Sequence, residues 1–259
     1  MLRSLRYDHT VASVHTHAQQ VSPLYQPNAM NRDQSSSNAP LVPSSSSLGR
    51  RVYLVLEFVV LFVGLPLLLY TQRHALGGRV IPLLIVLAVG CVAVLLWDPQ
   101  FDRQRMWNAS SVPAQLRSML AVFALGVVGM IGVFAWRHPD LLWSFPREHT
   151  RTWAVIMVTY PLLSVYPQEL IFRTFLFHRY DPLLGNARAK IAASGTAFGM
   201  AHIVFANWAA PLCTMVIGFW FARTYARSES TLAVVLEHVL WGMLAFTVGL
   251  GWYFYSPAI

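Results

Sequence analysis

The sequence predicts an all-α, polytopic transmembrane bundle of about 7–8 spans behind a disordered N-terminal tail, since each span needs about 20 apolar residues. Three observations carry that expectation. Charged residues make up only 12% of the chain, whereas soluble domains carry about a quarter. The shortage is concentrated: residues 52–70 hold one charge, Glu57, and residues 80–97, 118–136 and 152–167 hold none. Mean hydropathy is accordingly positive, at +0.48.

Taken in order, residues 1–50 have no apolar period and include the stretch SSSNAPLVPSSSS. Such composition cannot bury enough surface to offset chain entropy, so a disordered tail is expected. It lacks the apolar core of a signal peptide. Residues 51–259 are expected to form the membrane bundle. Spans are placed at 51–70, 80–97, 117–136, 152–178, 188–206, 209–226 and 231–255, from apolar length and the basic or proline-marked breaks between them. Trp97, Trp107, Trp136, Trp143 and Trp153 fall near these ends, where an amphipathic ring suits the headgroup region.

A net charge of +8 could suggest nucleic acid. The basic residues instead sit between apolar runs, with no dense cluster and no interleaved aromatics, so no nucleic-acid partner is expected. With a cytoplasmic N-terminus, the loops on that side hold Arg50, Arg51, Arg103, Arg105, Arg117, Arg179, Arg188, Lys190, Arg223 and Arg227. The opposite side holds Arg73, Arg79, Arg137, Arg147 and Arg151. The excess favours that orientation and makes membrane lipids the expected surroundings. Cys91 and Cys213 have no metal or disulfide spacing and read as small buried apolar residues.

Ionisable groups inside a membrane are costly, and they mark function. Apart from Glu57 they fall after residue 150: Glu169, Arg173, His178, His202, Glu237 and His238. Glu169 and Arg173 are four apart and share a helix face. Pro167 removes a backbone donor just before them, which frees a carbonyl and bends the segment around Gln168 and Glu169. His202 lies in a stretch of small residues that permit close helix contact. Glu237 precedes His238 but points about 100° away, so the two are not expected to pair. One carboxylate and two histidines on three spans can activate water, and they could equally ligate a divalent metal such as zinc. Metal-dependent and metal-free chemistry both stay open.

These residues carry a resemblance. Gln168-Glu169-x-x-x-Arg173, then Phe198-x-x-x-His202, then the late intramembrane His238 resemble the CPBP family of CAAX prenyl protease and bacteriocin-processing (Abi) intramembrane endopeptidases. The resemblance covers roughly residues 150–250. It implies a catalytic set of Glu169, His202 and His238, with Gln168 in the first motif and Arg173 as orienting partner. In the family, the first Glu of the pair and the F-x-x-x-H histidine activate water. The last histidine, with an Asn four residues on, stabilises the oxyanion. Here Gln168 stands at the first of these positions and Gly242 at the last, so the base role would pass to Glu169 with His202. The implied substrate is a membrane-associated or prenylated peptide or protein. The other readings of the same cavity are a non-catalytic relative that binds a lipidated peptide, and a small transporter. The lack of internal repeats disfavours the transporter.

Overall fold

The computed structural model describes residues 45–76 and 78–254. The expected tail, up to residue 44, lies outside them. In the described part the long elements are all helices. They are α1 (Leu48–Thr71), α2 (Val80–Trp97), α3 (Val112–Arg137) and α4 (Thr150–Arg179), then α5 (Ala187–Ala201), α6 (Ala209–Ser228) and α7 (Thr231–Val248). Among the described residues, α1 to α4 and α7 are long and apolar enough to cross a membrane. Five such helices do not establish the expected 7–8 spans. At 15 residues, α5 is shorter than a bilayer core requires, and α6 ends in a turn carrying Arg227.

The apolar side chains point outward as lipid contact requires. Val86, Leu125, Val128 and Val158 are 70–74% exposed, a pattern that would aggregate in water. Trp97 and Trp136 stand exposed at the ends of α2 and α3. Together with the apolar helices, this makes the chain an integral membrane protein. Cys91 is buried as expected, but Cys213 is exposed on α6, because it falls on the outward side of that helix.

The centre of the bundle is the second half of α4. Every residue from Glu169 to Phe177 is buried, enclosed by α2, α5 and α7, with Phe62 of α1 against the Phe172 ring. The core joins Phe62 of α1 and Cys91 and Leu95 of α2 to Phe172 and Leu176 of α4. It continues through Phe198 of α5 and Phe221 of α6 to Val234 of α7. α5 and α6 pack most intimately, because a Cβ on Gly195 would run into the Phe219 ring. One on Gly218 would meet the Gly195 backbone at 3.3 Å. That contact holds the end of α5 against the middle of the bundle.

Polar ties fix the ends. Asn186 Oδ1 caps α5 by accepting from the Ala189 N–H at 2.9 Å, and Ser230 Oγ caps α7 by accepting from Ala233 at 3.1 Å. α7 stops at Gly249, whose φ of 117° only glycine adopts readily. Glu57, the one acidic residue of α1, accepts two bonds from Arg179 at 2.9 and 2.7 Å, and one from the Tyr180 hydroxyl at 3.0 Å. On the neighbouring side Asp98 meets His178 Nε2 at 2.9 Å. The Gln100 N–H and His178 together hold the Asp98 carboxyl below its ordinary range.

Candidate active site

Two prolines shape α4 where it enters the site. Pro161 opens a π-helical segment, Pro161–Val165, in which the Tyr166 N–H reaches back five residues to the Pro161 carbonyl. A second wide segment, Leu170–Phe175, follows Glu169. Proline cannot donate to the ladder, so a register shift accommodates Pro161 and Pro167 with less strain than a broken helix. Such segments recur at functional sites. Between them, Tyr166–Glu169 presents the motif to the interior.

Glu169 and Arg173 are both 0% exposed. Glu169 Oε1 lies 2.6 Å from His238 Nδ1. Glu169 Oε2 lies 3.1 Å from Arg173 Nε. Neither of those last two atoms has a hydrogen-bond partner, so the approach is Coulombic and the N–H is not aimed at the oxygen. Arg173 Nη2 instead donates to the Gly218 carbonyl at 3.3 Å. The guanidinium carbon sits 4.3 Å from the centre of the Phe198 ring and 5.5 Å from that of Phe221. Arg173 thus neutralises Glu169 while aromatic faces replace part of its lost hydration.

His202 closes α5, where the chain turns through a short helix, His202–Phe205, to Ala206 at a φ of 55°. His202 Nδ1 is 2.7 Å from the Phe198 carbonyl. A carbonyl only accepts, so that nitrogen carries the proton and Nε2 of the neutral ring keeps its lone pair. Both histidines flank one ring: Phe198 lies edge-on to His202 at 4.7 Å and to His238 at 5.5 Å. Glu169, Arg173 and His238 are therefore in direct contact, and His202 joins them across Phe198.

Gln168 turns elsewhere. Its amide nitrogen donates to Ser164 Oγ at 2.7 Å, one turn back on α4, and its Oε1 is buried with no partner. As expected, Glu237 does not pair with His238; its Oε1 accepts the Trp220 indole N–H at 2.7 Å. Buried polar atoms are nearly always satisfied in folded proteins. Here Gln168 Oε1, Glu169 Oε2, Arg173 Nε and Nη1, and Glu237 Oε2 all lack partners. Such a concentration of unsatisfied polar atoms along α4 and α7 is a mark of a functional site rather than of packing.

One neighbour was not foreseen. Gly242, one turn beyond His238, leaves a gap that the Tyr160 phenol fills; a Cβ there would collide with its Oη, Cε1 and Cζ. The Tyr160 ring stands edge-on to His238 at 6.0 Å. A glycine on the histidine's face was the available signal, but the identity of its partner depends on tertiary packing.

A metal would find few free donors. Among the described residues no three His, Cys, Asp or Glu side chains group as metal ligands. Both Nδ1 atoms and Glu169 Oε1 are already engaged.

Residues 150–244 match the family model for type II CAAX prenyl endopeptidases, Rce1-like. Neither a curated protein nor a solved structure matches the chain. The matched stretch runs from the start of α4 almost to the end of α7 and contains every residue of the cluster. Over residues 150–244 the chain is thus similar to the Rce1-like type II CAAX prenyl endopeptidases, in keeping with the resemblance that its motifs carry.

Proposed function

We propose that the protein is an intramembrane endopeptidase that hydrolyses a peptide bond in a membrane-associated or prenylated substrate, with its N-terminus on the cytoplasmic side. The observation that carries this is the wholly buried Glu169–His238 contact at 2.6 Å. A carboxylate behind an imidazole can fix the ring's tautomer and stabilise its charged form, as in hydrolytic triads.

The division of labour follows from which atoms are engaged. Glu169 is enclosed and holds His238, with Arg173 beside it, so it is the orienting group and not the base. His202 is the base. Its Nδ1–H is bound to a neutral carbonyl, which leaves Nε2 to take a proton from water. Water oxygen attacks the scissile carbonyl carbon and the C=O electron pair moves onto oxygen. His238, protonated and backed by Glu169, donates from Nε2 to that oxyanion. Collapse breaks the C–N bond, and the departing amine takes its proton from His202. In this arrangement Gln168 does no proton chemistry and secures α4 through Ser164.

The test uses the full chain in phosphatidylcholine vesicles and a quenched fluorescent peptide with a prenylated CAAX end. His202→Ala, His238→Ala and Glu169→Gln should each lower kcat by about 10²–10⁴-fold with the protein still in the membrane. Cleavage that survives all three substitutions would overturn the reading.

A further inference from the structure

We propose that Tyr160 is a further catalytic residue, its hydroxyl donating a hydrogen bond to the carbonyl oxygen of the scissile peptide as charge develops there. The inference rests on the peptidase reading of the Glu169–His202–His238 site.

Three features of α7 place the phenol. His238, Gly242 and Phe246 recur every four residues, so they form one stripe of the helix. The Tyr160 ring lies along that stripe: edge-on to His238 at 6.0 Å, over the bare backbone of Gly242, and edge-on to Phe246 at 5.3 Å. Any side chain at 242 would drive it away, because the added Cβ would meet the phenol before anything else. The glycine therefore brings a hydroxyl, rather than merely another helix, up to the histidine.

The hydroxyl is also unspent. A Tyr hydroxyl within a protein usually finds a partner, yet Tyr160 makes no hydrogen bond among the described residues and is only half-buried. The surrounding donors are committed or enclosed. Gln168 donates to Ser164, the Trp220 indole donates to Glu237, and Arg173 is 0% exposed beneath Phe198. Two oriented donors on one oxygen, His238 Nε2–H and Tyr160 Oη–H, form an oxyanion hole of ordinary design. The phenol keeps its proton throughout: electrons move from the carbonyl onto oxygen, the hydrogen bond shortens, and the proton from water goes to His202. Tyr160 immediately precedes Pro161 and the π-helical segment, so the same register shift that presents Glu169 also sets the direction of the phenol.

The experiment measures hydrolysis of the prenylated CAAX peptide by the full chain in vesicles, with kcat and KM separated. Tyr160→Phe keeps the ring and should lower kcat by about 10²–10³-fold with KM and thermal midpoint unchanged. Gly242→Ala, which displaces the phenol, should lower kcat by a similar factor, with a fall in the thermal midpoint from the displaced ring. The double variant should be no slower than Tyr160→Phe alone, as expected when both changes remove one interaction. Difluorotyrosine at 160, which ionises more readily, should move the alkaline limb of the kcat profile to lower pH without altering the fold. A Tyr160→Phe rate within about threefold of wild type, with His238→Ala inactive, would remove Tyr160 from the mechanism and leave the peptidase reading standing. Strictly additive losses, or an unmoved alkaline limb, would also overturn it. Wild-type hydrolysis no faster than empty vesicles would overturn the peptidase reading and Tyr160's role with it.

Discussion

α3 and α7 are both apolar helices of membrane-spanning length, yet they are built for different neighbours. Only 11% of the most apolar stretch of α3 is buried in the protein, against 39% for α7. α3 buries two residues, Met119 and Phe134, and touches α7 through Gly126 and Phe123 at Trp241, while many of its other side chains face outward. α7 buries Glu237 and His238, and meets α4 through Glu169 and Tyr160. Hydropathy alone would class both as membrane spans. A hydrocarbon-facing position asks only for an apolar surface. A position facing α4 must match particular charges and shapes, because an unpaired ion in this setting costs several kcal/mol.

The sharpest way to break this contrast is to remove one ion from the inner set. Arg173→Ala should destabilise the protein by about 3–5 kcal/mol, because Glu169 would be left charged and uncompensated. Thermal unfolding in detergent measures it, and a shift no larger than that of a lipid-facing variant would erase the distinction. Next comes the tight α5–α6 contact. A new Cβ at 218 would lie 3.0 Å from Phe198 and 3.3 Å from Gly195, so Gly218→Ala should cost about 1–3 kcal/mol and disturb the ring shared by both histidines.

Smaller effects sharpen the assignment of roles. Gln168→Glu should change the rate by less than about tenfold, since a base contributes at least 10²-fold and the proposed mechanism gives that role to His202. A larger gain would move the base to position 168. At the bundle's end, Asp98 has a depressed carboxyl pKa, so its contribution is complete above the ordinary aspartate value of about 4 and is lost as pH falls through the lower folded value. Asp98→Asn should therefore flatten the acid side of the stability profile below about pH 4; an unchanged profile would show that the His178 contact carries no linkage. Smallest of all, Val128→Ala on the lipid-facing side of α3 should stay within about 0.5 kcal/mol.

Much of this was legible in the sequence because a bilayer imposes length and polarity locally. The run 80–97 emerged as a helix with those limits. α7 was expected to reach 255 and stops at Val248, where a glycine outside the helical region ends it. The sequence pairs Glu169 with Arg173 through their spacing and joins Glu169, His202 and His238 through the family resemblance; in the structure Glu169 meets Arg173 and His238 directly. What stayed hidden depended on three-dimensional neighbours. Gly242 revealed an open helix face but not the tyrosine that occupies it, 82 residues earlier in the chain. Nor did the prolines of α4 show that their missing donors would be absorbed by five-residue hydrogen bonds. The same limit applies to Glu57, whose partner Arg179 lies 122 residues away.

The central claim is that a water molecule, activated by His202, cleaves a peptide bond inside this bundle. It is tested most directly by incubating the full chain in vesicles with the prenylated CAAX peptide in water enriched in heavy oxygen, for wild type and His202→Ala. The account predicts a wild-type product with heavy oxygen in its new carboxylate, and a rate about 10²–10⁴-fold lower for His202→Ala at equal membrane content. Equal product from both proteins, or none above empty vesicles from either, would contradict it.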